Sequence, residues 1–195
     1  MVVIVYNEKG GVGKTMIATQ FALHFDATII ELDPYGVLTQ TLSDDIVHKV
    51  ALNEAAPVIR EGDAIFDFGG FDDARLDDIS KYSDLIIIPF NPTINSLGTT
   101  LKSYKRASSQ NLPILFVVNA SVNESDALDA IEYLKENIQD EIDYFVIPHT
   151  RALQTAENEA ISIIELSKQP GLKRHTYKKI GQTFTELMQK IAEYK

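Results

Sequence analysis

Six short runs of β-branched and aromatic residues constrain this chain most: positions 2–6, 28–32, 64–68, 85–90, 114–118 and 144–147. Most are apolar at consecutive positions, which is how a strand reads when both of its faces are covered, as in a parallel sheet. Helix-sized segments lie between them. Ile17, Phe21 and Phe25 recur at i, i+4 and i+8, and Leu128, Ile131, Leu134 and Ile138 repeat at helical spacing behind Ser125, a candidate N-cap. Alternating strand and helix predicts right-handed crossovers and an α/β fold: a doubly wound, mostly parallel sheet with helices on both faces and ligands beyond the carboxyl ends of its strands. No internal repeat and no long linker interrupts the 195 residues, so a single domain over 1–195 is expected.

The first run leads directly into Asn7-Glu8-Lys9-Gly10-Gly11-Val12-Gly13-Lys14-Thr15-Met16 and then into the first helical stripe. Glycines at these positions let backbone N–H groups converge on a phosphate without Cβ clashes, and the helix N-terminus adds its positive end. Lys14 is placed to neutralise β- and γ-phosphates, and the Thr15 hydroxyl to ligate Mg²⁺. The chain has no cysteine, which removes disulfides, thiolate metal sites and cysteine nucleophiles together. Its chemistry must come from oxygen and nitrogen groups.

The loop departs from the pattern G-x-x-x-x-G-K-[ST]: Glu8 stands where the first glycine should be, and Lys9 is an additional lysine. It resembles the deviant Walker A motif, K-G-G-x-G-K-T, of the ParA/MinD family of ATPases. That resemblance implies a P-loop NTPase fold and nucleotide contacts from Lys9, Gly10, Gly11, Val12, Gly13, Lys14, Thr15 and Met16. In the family the early lysine, here Lys9, reaches the phosphates of the partner subunit's nucleotide, so that ATP holds a homodimer together. Ile29-Ile30-Glu31-Leu32-Asp33-Pro34-Tyr35-Gly36 is similar to the family's D-x-D-P-Q-G segment, which places Asp33 on the aspartate that positions the attacking water. Glu31 replaces the first aspartate and Tyr35 the glutamine. Ala64-Ile65-Phe66-Asp67 resembles a Walker B strand, implying that Asp67 holds Mg²⁺ through water, although Gly69-Gly70 follows it instead of a proline-rich stretch. Asn119 resembles an asparagine that contacts adenine in some members, and a turn role is equally open to it. The segment from Ile147 to Arg151 resembles the family's last nucleotide-side loop.

Charge is distributed unevenly. The net charge is −10, yet residues 168–195 carry seven Lys or Arg against two Asp or Glu, while 1–167 carry 11 against 26. Such an island is commonly a solvated face. Phosphate contacts dominate non-specific DNA affinity, so the cluster Lys173, Arg174, Lys178 and Lys179 is the candidate DNA-binding surface, with Lys102, Lys105, Arg106 and Arg151 next. Within 176–195, Ile180, Phe184, Leu187, Met188 and Ile191 form one apolar helical stripe, which fits a last helix docked on its own domain more simply than a membrane anchor.

With the resemblance, these features lead to the expectation of a small ParA-type ATPase for DNA partition. It would use ATP and Mg²⁺, dimerise on ATP, bind DNA without sequence preference and be stimulated by a ParB-like centromere-binding protein. A MinD-like membrane-associated positioning ATPase and a nucleotide-binding scaffold without turnover are the alternatives. The sequence starts at the first strand, so site-specific repression through a preceding helix-turn-helix is not expected. Lacking an apolar run of about 18 residues or a secretory leader, the protein is expected in the cytoplasm, associated with the nucleoid and without stable membrane attachment.

Overall fold

The computed structural model describes all 195 residues apart from the side chain of residue 172. Seven strands form one sheet: β1 (Val2–Val5), β2 (Thr28–Glu31), β3 (Val47–Lys49), β4 (Ala64–Asp67), β5 (Leu85–Phe90), β6 (Ile114–Ser121) and β7 (Asp143–Pro148). Their order is β3-β2-β4-β1-β5-β6-β7, and every pairing is parallel. The chain moves from β1 to one side and then returns to build the other side from β5 onward. The loop after β1 therefore emerges at a topological switch point, where such sheets bind ligands.

Burial on both faces explains the continuous apolar runs. Val3 and Val5 enter a core with α1 (Lys14–Phe25), α6 (Ala152–Asn158), α7 (Ile163–Lys168) and α8 (Leu172–Ala192). Val2, Ile4 and Tyr6 point the other way, into a core with α3 (Leu76–Ile79), α4 (Ile94–Ser108) and α5 (Glu124–Asn137). A short helix, α2 (Leu38–Thr41), follows β2. The strand absent from the sequence reading is β3. It lies at the sheet edge with Val47 buried and His48 and Lys49 exposed, so it has no apolar run to reveal it.

Two helix expectations are corrected. Ser125 is not the N-cap of α5: Asn123 occupies that position, and Ser125 lies inside the first turn. Beyond Val118, β6 shifts register around Ala120, whose φ is +55°, and continues to Ser121, which fixes where the helix begins. Leu128 is 51% exposed, because α5 buries Ala127, Ala130, Ile131 and Leu134 at i, i+3, i+4 and i+7 instead. The last helix starts at Leu172, earlier than the stripe indicated, and buries all five expected residues, Ile180, Phe184, Leu187, Met188 and Ile191.

Candidate functional site

The loop between β1 and α1 is held from below by Asn7, which is fully buried. Its Nδ2 donates to the Pro89 carbonyl at 2.9 Å and to Thr100 Oγ1 at 3.2 Å, and its Oδ1 accepts from the Lys9 N–H at 2.9 Å. Ser103 Oγ accepts from the Glu8 N–H at 3.0 Å. Glu8 faces α4, where its carboxylate accepts from Lys102 Nζ and, at 3.2 Å, from the Tyr6 hydroxyl. The glutamate at the first-glycine position thus ties the loop to a neighbouring helix.

At Gly13 the φ is +99°, and a Cβ there would fall 2.2 Å from Asn119 Nδ2. That same amide donates to the Val12 carbonyl at 2.9 Å, so Asn119 braces the loop backbone. Lys14 is 7% exposed and donates from Nζ to the Lys9 carbonyl at 2.9 Å. Burial lowers its pKa, while the negative charges of Asp67 and Asp33 work in the opposite direction. A phosphate group offers this ammonium a stronger acceptor than a neutral carbonyl does.

Thr15 and Asp67 meet at the floor of the loop. Asp67 ends β4 with 1% exposure, and the Thr15 hydroxyl donates to its Oδ2 at 2.7 Å. Its Oδ1 is buried without a hydrogen-bond partner among the described residues. Burial pushes the Asp67 pKa up to about 7, against the Thr15 hydrogen bond and the Lys14 charge, and Glu31 and Asp33 add to the rise. A hydroxyl beside a carboxylate with an orphaned buried oxygen is a donor set that suits a hard divalent cation such as Mg²⁺.

Asp33 follows β2 and is half-buried, with its Oδ1 accepting from the Tyr35 N–H at 3.0 Å. Glu31, one of the departures in that segment, is fully buried. Its Oε1 accepts from the Leu38 N–H at 3.0 Å, and Oε2 lies 3.3 Å from Lys49 Nζ, which also donates to the Gly36 carbonyl. The longer stem of glutamate thereby pins both ends of the turn that carries Asp33. Gly70 explains another departure. A Cβ at that position would lie 2.9 Å from the Gly10 nitrogen and 3.1 Å from its Cα, so glycine lets the segment after β4 lie against the phosphate loop.

Residues 3–163 match the family of CobQ/CobB/MinD/ParA nucleotide-binding domains. The chain belongs to this family. No curated protein matches the sequence closely. Among solved structures, McdA of Cyanothece without nucleotide has a TM-score of 0.68 at 13% identity, covering 94% of this chain and 96% of that one. MinD of Aquifex aeolicus gives 0.65 at 15%, covering 98% and 97%, and a ParA family ATPase of Chlorobium tepidum gives 0.65 at 17%, covering 95% and 96%. The sheet and helices form the P-loop NTPase fold shared by these MinD and ParA proteins.

Outside the nucleotide-binding-domain match, the basic island of this family member separates into parts. Lys173 pairs with Glu159 at 2.5 Å, Lys190 with Asp143 at 2.6 Å and Lys195 with Asp63 at 3.3 Å. Arg174 and Lys178 instead border a groove of about 510 Å³ between α7 and α8, together with Lys168, Ser167, Gln182 and Thr185. Lys179 borders a different groove, of about 380 Å³, beside Tyr144, Val146 and Pro148. The sequence reading grouped Lys173, Arg174, Lys178 and Lys179 as one surface. The structure brings together only the middle two and adds Lys168, which no sequence spacing links to them because it lies on another helix. Of the further candidates, Lys102 is paired with Glu8 and Arg106 with Asp72 and Asp77, while Lys105 and Arg151 are exposed.

Proposed function

We propose that this chain is an ATP-dependent dimerising ATPase of the ParA type that serves DNA partition. Lys14 and the N–H groups of Gly10, Gly11, Val12, Gly13, Thr15 and Met16 bind the phosphates, Thr15 and, through water, Asp67 hold Mg²⁺, and Asn119 stands at the base side of the loop. When bound, ATP supplies the phosphoryl group transferred to water and Mg²⁺ supplies charge that offsets the phosphate oxygens. Asp33 orients the water, and Lys9 reaches the phosphates held by the partner subunit, which makes dimerisation depend on ATP. Most of the acceleration then comes from positioned charges, with no covalent intermediate.

The observation that carries the partition reading is the uneven treatment of cations in an acidic chain. Lys168, Arg174 and Lys178 stand around one groove without a carboxylate at ion-pair distance among the described residues, whereas Lys173, Lys190 and Lys195 each have one. Such a groove fits nucleic-acid phosphates. The apolar stripe of α8, at most 7% exposed, is taken up by the core, which favours DNA over a lipid surface as the target. A ParB-like centromere-binding protein completes the reading as the stimulating partner, and the nucleoid is the expected location. Co-sedimentation with DNA and with anionic liposomes, each with and without ATP, tests it. ATP-dependent pelleting with DNA alone is expected; pelleting with liposomes alone overturns the reading in favour of a MinD-like protein.

A further inference from the structure

Arg75 is a largely buried cation outside the phosphate loop, and its guanidinium contacts three separate segments. Nε donates to both oxygens of Asp73 at 3.0 Å and Nη2 to Asp73 Oδ2 at 2.6 Å. Nη2 also donates to the Leu32 carbonyl at 3.1 Å, and Nη1 to the Ala51 carbonyl at 3.0 Å. The Asp73 side chain is 4% exposed and that of Arg75 11%, so the pair is shielded from water and from salt.

The three segments matter for what they carry. Leu32 immediately precedes Asp33, and its own N–H is bonded to the Asp67 carbonyl at 2.9 Å. Ala51 follows Val50, whose N–H donates to the Glu31 carbonyl at 3.0 Å. Asp73 and Arg75 belong to the segment whose Gly70 lies against Gly10 of the phosphate loop. A planar fork with donors in fixed directions can span such a set of acceptors; a lysine ammonium, a point charge on a flexible stem, cannot.

We infer that Arg75, held by Asp73, is a positioning residue for Asp33: it fixes the carbonyl next to Asp33 and so sets where that carboxylate stands relative to the phosphate loop. The inference rests on the reading of Asp33 as the water-orienting group. Among the described residues the Arg75 guanidinium bonds Asp73, Leu32 and Ala51, none of which is a proposed nucleotide contact. Its loss should therefore lower turnover without weakening ATP binding, since misplacement of a catalytic group by a fraction of an ångström costs rate and leaves ground-state affinity in place.

The test uses the full chain and two variants. Arg75→Lys keeps the charge opposite Asp73, and the double variant Asp73→Asn, Arg75→Met removes both charges so that neither is left buried alone. ATP affinity, ATP-dependent dimer formation, kcat and amide hydrogen exchange are measured for both. The expected result is ATP binding and dimerisation within about threefold of wild type, kcat lower by about tenfold, and faster exchange at residues 32–36 with the phosphate loop unchanged. Unchanged exchange at 32–36 overturns the inference without reference to turnover, as does wild-type kcat or a parallel loss of ATP binding. Asp33→Asn measured alongside separates the two ideas: wild-type turnover in that variant removes the role of Asp33, whatever the Arg75 variants do.

Discussion

Thr15 Oγ1 donates to Asp67 Oδ2 at 2.7 Å, while Asp67 Oδ1, a buried oxygen of the same carboxylate, has no partner among the described residues. One oxygen is satisfied by the first turn of α1, the helix that follows the phosphate loop, and the other is buried with no partner among the described residues. Asp67 closes β4 with 1% exposure, so neither oxygen of its carboxylate is open to bulk water.

A pH dependence follows from that carboxylate. Burial raises the folded-state pKa of Asp67 to about 7, above its ordinary value of 3.8. Between those values the folded chain holds a proton that the unfolded chain has released, so its contribution to stability is fully present below the lower value and is lost as pH rises through about 7. Thermal melts without metal are expected to show a Tm that falls across this window, and Asp67→Asn should flatten the profile. Mg²⁺ with nucleotide should raise Tm more above the window than below it, because the cation needs the ionised carboxylate.

Lys9 and Lys14 separate two roles within one loop. Lys14→Ala removes the buried ammonium that now rests on the Lys9 carbonyl, and ATP-dependent dimerisation is expected to vanish in light scattering. In Lys9→Ala that carbonyl survives, since it belongs to the backbone. ATP affinity should therefore change by less than about threefold while dimer formation is lost, a split that isothermal titration and light scattering can read together. Equal loss of both would place the action of Lys9 within its own subunit.

Gly70→Ala tests the contact between the segment after β4 and the phosphate loop. The added Cβ meets backbone at 2.9 Å, and backbone cannot swing aside as a side chain can. Overpacking of this kind costs about 1–3 kcal/mol. Part of that cost should appear as weaker ATP binding, because the atoms displaced are those of Gly10. A variant with wild-type Tm and ATP affinity would show that the loop yields freely.

Much of this was legible in the sequence because the controlling signals are local. The runs 2–6, 64–68 and 85–90 announce strands buried on both faces, and the step from strand through glycines to Lys14 and Thr15 announces the phosphate loop. The edge strand β3 was not legible, since a strand with one buried residue has no apolar pattern to read. The supports of the site were hidden for a different reason. Glu8 with Lys102, Asn119 with Val12 and Arg75 with Leu32 are separated by 94, 107 and 43 positions, and only the folded sheet brings them together. Glu31, Tyr35 and Gly69-Gly70 read as departures from a motif; for Glu31 and Gly70 the structure supplies the reason, in Leu38 with Lys49 and in Gly10, while nothing in it explains Tyr35, whose side chain is 89% exposed.

The basic island gives a prediction that distinguishes its members. Arg174 and Lys178 share the groove with Lys168, whereas Lys173 is neutralised by Glu159 and Lys179 lies over another groove. If the groove between α7 and α8 receives the DNA backbone, charge reversal at Arg174 and Lys178 should abolish ATP-dependent DNA binding, and Lys168→Glu should weaken it in the same way. Lys173→Ala should have a smaller effect, because its charge is already opposed. Each lost phosphate contact should also reduce the slope of log affinity against log salt by about one unit, so that one substitution, present in both subunits of a dimer, lowers it by about two, as fewer counterions are released. Fluorescence anisotropy with a labelled duplex across a salt series reads both quantities. ATP-dependent dimerisation should persist in these variants, which shows that the loss is not one of folding. Should Lys179→Glu alone abolish binding while the Arg174 and Lys178 reversal leaves it intact, the contact surface lies beside β7 and not between the two helices.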